Sequence, residues 1–600
     1  MSGAPRTLTR EQGEARPLGS DDEQLPDVAV SDVLGERGPV DRRDASPRPS
    51  RAVVALVVIA VVFGVALRAW FVFHTPIDSD QAIVGLMAHS YLHGHLTAFY
   101  WGQAYGGAEG FAAAALFGID ESAITLCLAA VLLSAVAATL VWRITRRLVD
   151  DPNIAMLAGA LAWAAPLAVV FKSTREYGLR GVTLVCGLGL VLFALRILDG
   201  QTRTREFVAL GVLAGIGWWS LPEIVYFVVP GALLVVGAIA RSTRSIRWWS
   251  TRLGAAMLGA LVGALPWLWA NINSGFASID PSRFPGTSSP LNTGYVGRLD
   301  IILRKSLPTE LGLHPSSVGF NGDATNRWLI APTSLITHGL LVLLVIAIAS
   351  SIVAAVILCV ARGGRALAMV TALLVLPFLA AAQPGTWYWQ DGRYLVYFGP
   401  LLAIVLAIGC DEAGHLWTNR AGAKRSAVRF GSIAFGVILV VALSVTGFAF
   451  HLATRTGPSN FASDWSRPDH GAEDVASLLQ QHGVRFGYAN YWVAYKLDFL
   501  SHERVMVTVG AREPDRSQSI DRAVHRARSS AWLFVPHANA LAGYRTFGAT
   551  DQIRGPDGVS ERAFLDELDH LRVGYRIVHA DIIDAVIPAR PIPPESVEPS

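Results

Sequence analysis

Asp78 and Asp80 stand two residues apart, where the first long apolar run of the chain, at about residues 52–73, comes to its end. Two carboxylates at a membrane face can take the proton from an acceptor hydroxyl, or hold a divalent cation (Mg or Mn) that bridges a phosphate. Asp is also a good helix N-cap, and the apolar pattern of Ile83, Val84, Leu86, Met87 and Tyr91 that follows reads as a helix. Capping therefore competes with chemistry at Asp78, whereas Asp80 favours chemistry. Next come Phe99, Tyr100, Trp101, Tyr105 and the pair Gly106-Gly107, then Glu109 at the head of an apolar run too short to span. Such a run would lie along the interface. Rings with polar edges suit lipid headgroups and sugar faces alike, though they also build the aromatic belts of membrane proteins. Trp101 and Tyr105 are the candidate substrate contacts. A carboxylate facing an apolar segment is costly unless paired or working, so Glu109 joins the two Asp residues as a candidate.

Weaker candidates lie elsewhere. Glu223 follows Trp218-Trp219 at the mouth of a tight hairpin, where it could line a cavity or sit in a surface turn. His89 and His93 are four apart and share a helical face, as metal ligands sometimes do, but no HExxH motif accompanies them.

The elements that must position these residues are membrane helices. The 600 residues are 52% hydrophobic and only 16% charged, with a mean hydropathy of +0.40; soluble chains carry about a quarter charged residues. A net charge of +3 is too mild to imply nucleic acid as a partner. Cys127, Cys186, Cys359 and Cys410 all fall in apolar runs, where a thiol behaves as a small hydrophobe. About 20 apolar residues cross a bilayer. Runs of that kind lie at about 52–73, 121–142, 153–171, 179–198, 206–221, 222–240, 253–272, 334–361, 366–382, 394–412 and 430–451. The expectation is a polytopic α-helical protein of about 11 spans.

Every second loop is basic: Arg143, Arg146 and Arg147; Arg196, Arg203 and Arg205; Arg241, Arg244, Arg247 and Arg252; Arg362 and Arg365; Arg420, Lys424, Arg425 and Arg429. The positive-inside rule then puts the N-terminus in the cytoplasm and the C-terminal region outside a plasma (inner) membrane. Residues 1–50 are polar, rich in Arg, Asp, Glu, Pro and Gly, and read as a disordered cytoplasmic tail rather than a signal peptide. Residues 51–451 form the transmembrane domain, with long exterior loops at 74–120 and 273–333. Residues 452–587 alternate helical and strand patterns, among them "EDVASLLQQHG", "VRFGYAN", "YWVAYKLDFLS", "RVMVTVG", "SAWLFVP" and "YRIVHAD". That alternation predicts a small exterior α/β domain, a candidate for acceptor recognition. The Pro-rich stretch 588–600 reads as a disordered tail.

This layout, a cytoplasmic approach, one span and an exterior loop opening with Asp-x-Asp, resembles the GT-C superfamily of membrane glycosyltransferases. It is similar to the branch of the protein O-mannosyltransferases and aminoarabinose transferases. "FGIDESAITLCLAAVLLSAVAATLVWRITRRL" resembles that branch's second span with its Arg pair, and "QDGRYLVYFGPLLAIVLAI" the Arg-Tyr that opens a late span. The resemblance covers about residues 52–412. One departure is that Tyr105-Gly106-Gly107-Ala108-Glu109 stands where many relatives carry a Lys/His-Pro-Pro-Leu-like motif. The resemblance implies a polyprenyl-phosphate-linked sugar as donor and a glycan, lipid or protein hydroxyl as acceptor. It also implies inversion at the anomeric carbon, with Asp80 as base or metal ligand supported by Asp78 and Glu109.

The leaving lipid phosphate needs a cation in low dielectric. Lys172, Arg175 and Arg180 in "FKSTREYGLRG" and Arg393 in "WYWQDGRY", beside Tyr394, are the charges at exterior span ends. Their alternative role is snorkelling, with Glu176 and Asp391 as neutralising neighbours. Two other classes compete with the enzyme. A polytopic transporter or lipid-linked-glycan flippase would place ionisable residues at mid-span, where this chain has almost none. A non-catalytic assembly partner would use the exterior domain alone.

Overall fold

The computed structural model describes residues 50–74, 77–149, 151–175, 179–279, 294–311, 365–383, 393–421, 445, 470–534, 555–580 and 583–597. Its membrane portion is built from α1 (Arg51–His74), α4 (Ala123–Leu148), α5 (Pro152–Ala164), α6 (Leu167–Lys172), α7 (Gly181–Leu198), α8 (Thr204–Ser220), α9 (Val225–Ala240), α10 (Ile246–Gly263) and α11 (Leu265–Ser274). After the short α12 (Tyr295–Ile301) and α13 (Leu307–Glu310) come α14 (Arg365–Ala382) and α15 (Phe398–Ala421). The loop after α1 contributes α2 (Ser79–Leu92) and α3 (Ala108–Phe117).

Not all of the eleven expected spans fall within the described residues. Those at 334–361 and 430–451 lie outside the described residues. Among the described residues four helices are long and apolar enough to cross a membrane, Arg51–His74, Ala123–Leu148, Gly181–Leu198 and Pro222–Ala240, or five if one bent pair counts as a span. That pair is α10 and α11, which meet at 60° just before Pro266. The run at 153–171 is likewise not one helix. Pro166 has no N–H to continue α5 and forces Ala165 into an extended conformation, so α6 begins afresh.

Glycine spacing packs α8 against α10. Gly211 and Gly215 on one helix face Gly259 and Gly263 on the other, and a β-carbon at Gly211 would run into the Ala256 carbonyl. Small residues four apart let backbones approach this closely without a hydrophobic driving force. Within α1, Arg68 is buried, donating to the Gly64 carbonyl at 3.0 Å and stacking 3.7 Å over Trp163. This is an ionisable residue inside a span, contrary to the near-absence expected there, and it is fixed in place by its own helix.

In the C-terminal region the described residues fold as helices packed on a five-stranded sheet. α16 (His470–Gln481), α17 (Tyr491–Leu500), α18 (Gln518–His525) and α19 (Glu561–His570) pack on strands β1 (Phe486–Tyr488), β2 (Met506–Thr508), β3 (Ala531–Phe534), β4 (Tyr575–Ala580) and β5 (Ile583–Pro588). Their order is β2-β1-β3-β5-β4, parallel among the first three and antiparallel around β5. The Pro-rich end is not a disordered tail through Val597. Pro588 closes β5, Ile592 and Val597 are buried, and the Trp532 indole donates to the Ile592 carbonyl at 2.8 Å. Prolines leave few N–H groups to satisfy, so such a strap can lie along a sheet with its apolar side chains inward.

One hydrophobic core unites this unit with the loop that follows α1. Ile83, Leu86, Met87 and Phe117 bury with Val475, Tyr495, Phe499 and Trp532 in a single cluster. Gly85 makes the contact close, because the Phe499 ring fills the place its β-carbon would take. The expected boundary near 452 therefore separates the chain in sequence, while loop 74–120 packs with the later domain.

Candidate functional site

Three of the cations singled out in the sequence line one cleft. Lys172 ends α6, Arg175 lies in the turn after it, and Arg180 caps α7. The rest of the wall is apolar: Ala130, Leu133, Ser134, Ala137 and Ala138 along one face of α4, with Leu184, Val396 and Pro400 opposite. About 710 Å³ of space lies in and over the cleft, open solvent at its mouth included. Four of the positions i, i+3, i+4, i+7 and i+8 of α4 are Ala or Ser, with Leu133 the exception, and these small side chains leave the groove.

Each cation is anchored. Lys172 Nζ pairs with Glu310 Oε1 of α13, both buried. Arg175 Nη1 donates to Gln81 Oε1 at 2.8 Å, and its guanidinium lies over the Phe171 ring. Arg180 holds Glu223 in a two-toothed pair, Nε to Oε2 at 2.8 Å and Nη2 to Oε1 at 2.5 Å. Tyr397 donates to Glu223 Oε2 at 2.8 Å, and the Tyr394 ring lies 4.6 Å from the Arg180 guanidinium. Glu223 is thus a buried counter-ion rather than a surface turn, and Tyr394 flanks the Arg it balances. The Arg393 side chain lies outside the described residues, as do Glu176 and Asp391.

The carboxylates divide. Asp78 is the N-cap of α2: its Oδ1 accepts from Gln81 N at 2.9 Å, and Gln81 Oε1 accepts from Asp78 N at 3.2 Å, a complete capping box. The same Gln81 receives Arg175, so the cap ties α2 to the cleft. Asp80, in the first turn, receives the Tyr491 hydroxyl of the exterior domain on Oδ1 at 2.6 Å. Tyr100 donates to the Asp80 carbonyl at 3.3 Å. Burial, followed by the charges around them, pushes the Tyr100 and Tyr491 phenols well above their usual range.

Glu109, wholly buried, caps another helix in trans: its Oε1 accepts from Val182 N at 2.9 Å at the start of α7, next to Arg180. Negative charge there complements the helix dipole. Its Oε2 is buried without a hydrogen-bond partner. Trp101 and Tyr105 are half-buried against the exterior core, on either side of a turn that the Tyr100 N–H closes on the Tyr105 carbonyl at 2.8 Å.

The Asp pair does not fit the expected divalent-cation site. One oxygen of each is engaged, and among the described residues no three His, Cys, Asp or Glu side chains are grouped to hold an ion. His89 instead pairs with Glu121 at 2.6 Å, and His93 packs on its ring. Sequence reading missed Gln81, Glu310, Tyr397, Tyr491 and Arg516. Each meets its partner across a long stretch of chain, 411 residues for Tyr491 and Asp80, so spacing carried no signal.

The helix bearing Tyr491 is itself held by an acid. Glu513 accepts from Tyr491 N at 3.0 Å and from Asn490 Nδ2 at 2.8 Å. Burial pushes its carboxyl up to about 7. A raised acid binds more protons folded than unfolded, so stability falls as pH climbs from about 4.5 to 7 and is level above. His525, raised by its Asp521 and Glu595 contacts despite its burial, acts in the same direction. Glu513 alone should make the exterior domain less stable at pH 8 than at pH 4.5 by up to roughly 3 kcal/mol. Thermal unfolding across that range should show this slope, and Glu513→Gln should flatten most of it; an unchanged slope would rule Glu513 out as its source.

Residues 111–269 match the family model described as dolichyl-phosphate-mannose-protein mannosyltransferase. No curated protein matches the chain in sequence. Among solved structures the fold is similar to ArnT from Cupriavidus metallidurans bound to undecaprenyl phosphate. The TM-score is 0.52 at 13% identity, over 90% of this chain and 98% of that one. The apo state of the same protein gives 0.52 and 13% over 92% and 100%. The apo oligosaccharyltransferase of Archaeoglobus fulgidus scores 0.44 at 11% identity, over 80% and 69%.

The chain is a multi-pass membrane protein, mostly helical, with the fold of the ArnT structures. Fold and family match together bear out the resemblance to the GT-C superfamily, and with it the reading of this chain as a glycosyltransferase.

Proposed function

We propose that the protein moves a sugar from a polyprenyl-phosphate donor to an acceptor hydroxyl at the exterior face of a plasma (inner) membrane, with inversion. The observation that carries this reading is the cleft: three cations at the end of an apolar groove suit an anionic headgroup on a long hydrocarbon chain. Isoprenoid would lie along the small-residue face of α4, its phosphate against Lys172, Arg175 and Arg180. The acceptor oxygen forms a bond to the anomeric carbon as the bond from that carbon to the phosphate oxygen breaks. The lipid phosphate leaves as an anion among the three cations, and the acceptor's proton passes to Asp80. Asp78 and Glu109 serve as caps that fix α2 and α7 around the cleft. Trp101, Tyr105 and Tyr394 are placed to border the sugar or its acceptor, and Arg393 to join the phosphate site.

Support for the donor class comes from ArnT, whose structure is bound to undecaprenyl phosphate. Support for the orientation comes from the alternation of Arg-rich loops, which keeps the N-terminus cytoplasmic and the domain after residue 452 outside. Purified protein in lipid should transfer radiolabel from polyprenyl-phosphate sugars, and free polyprenyl phosphate should compete. Absence of transfer from every such donor would sink the enzyme reading and favour a lipid-linked-glycan flippase.

A further inference from the structure

We propose that the exterior domain supplies a positioning residue, Tyr491, whose hydroxyl holds Asp80 in the orientation that meets the acceptor. The inference rests on the reading of Asp80 as the base. A carboxylate in the first turn of a helix turns freely between rotamers unless something fixes it, and reacting groups must be held near their productive geometry. Tyr491 provides the fixing: 2.6 Å is the length of a charge-assisted O–H···O⁻ bond.

Tyr491 is itself rigid. It opens α17, its N–H is bound by Glu513, and Asn490 caps the same helix through Trp492 N at 3.0 Å. Its ring packs edge-on against Trp492 and Tyr495. Arg516 completes the clamp. Its guanidinium lies 5.7 Å from both the Tyr100 and Tyr491 rings, and Nη1 donates to the Gly102 carbonyl at 3.3 Å. From below, Phe499 on α17 seats against Gly85 on α2, so the helix carrying Asp80 and the helix carrying Tyr491 cannot shift independently. A structural cap would need none of this, because Asp78 already caps α2.

Tyr491→Phe removes one oxygen and keeps the ring contacts. In single-turnover transfer of labelled sugar, it should lower kcat by about tenfold or more and leave the donor KM unchanged. Placed on Asp80→Asn, it should change the residual rate little, because it acts through the carboxylate already removed. Equal losses in both backgrounds, as a merely unfolding variant would give, would overturn the inference. So would a wild-type kcat for Tyr491→Phe while Asp80→Asn is inactive, leaving the reading of Asp80 standing. Should Asp80→Asn itself keep full activity, that reading falls, and the inference with it.

Discussion

Asp80→Asn should lower sugar transfer by about 10²–10⁴-fold, the range that a positioned general base contributes. Asn keeps the shape of the side chain and still accepts the Tyr491 hydroxyl, so α2 and the exterior core should stay as they are. What it cannot do is take a proton. The donor KM should stay near the wild-type value, because the cations of the cleft sit on α6, α7 and the turn between them. Asp78→Asn should do far less, because an Asn side chain still caps a helix. Both variants can be compared in membranes at matched expression; transfer unaffected by Asp80→Asn would take this residue out of the mechanism.

The second large effect concerns Arg180 and Glu223. Both are almost fully enclosed, with side-chain exposures of 7% and 4%. Removing one partner of such a pair leaves an uncompensated buried charge, a loss of about 3–5 kcal/mol. Glu223→Ala should therefore destabilise the protein severely, with Tyr397 losing its acceptor as well. Arg180→Met should be comparably damaging. Combining Arg180→Met with Glu223→Leu removes both charges and should restore most of the melting temperature. Donor binding should not return. The missing charge-assisted contact to phosphate, about 1.5–3 kcal/mol, corresponds to a donor KM about 10- to 150-fold higher. Recovery of both stability and KM in the double variant would make the pair purely structural.

Long-range pairing explains what the sequence could and could not show. Apolar runs and helix-strand alternation mark α1, α4, α7 and all of β1 to β4, because burial imposes a period on neighbouring residues. The cations of "FKSTREYGLRG" are legible for a related reason, since charge beside a span is conspicuous. Their partners are not, because Glu310 and Glu223 look like ordinary loop acids until the fold brings them inward. Aromatic spacing in "YWVAYKLDFLS" marks helix core more often than a sugar-binding surface, and Tyr491 and Tyr495 are both buried. Composition misled in one place, where five prolines from Pro588 to Ser600 suggested disorder around a segment that anchors Ile592 and Val597.

The single core joining residues from the first exterior loop to residues beyond 470 has a consequence for biogenesis. Synthesis runs from the N-terminus, so the loop carrying Asp80 is made long before its packing partners exist. Until the last hundred or so residues emerge, Ile83, Leu86 and Phe117 have only the apolar neighbours of α3, α4 and the start of α7, without Val475, Tyr495, Phe499 and Trp532. A chain cut short before residue 470 would therefore carry Lys172, Arg175 and Arg180 and still lack the residues that complete the core around α2.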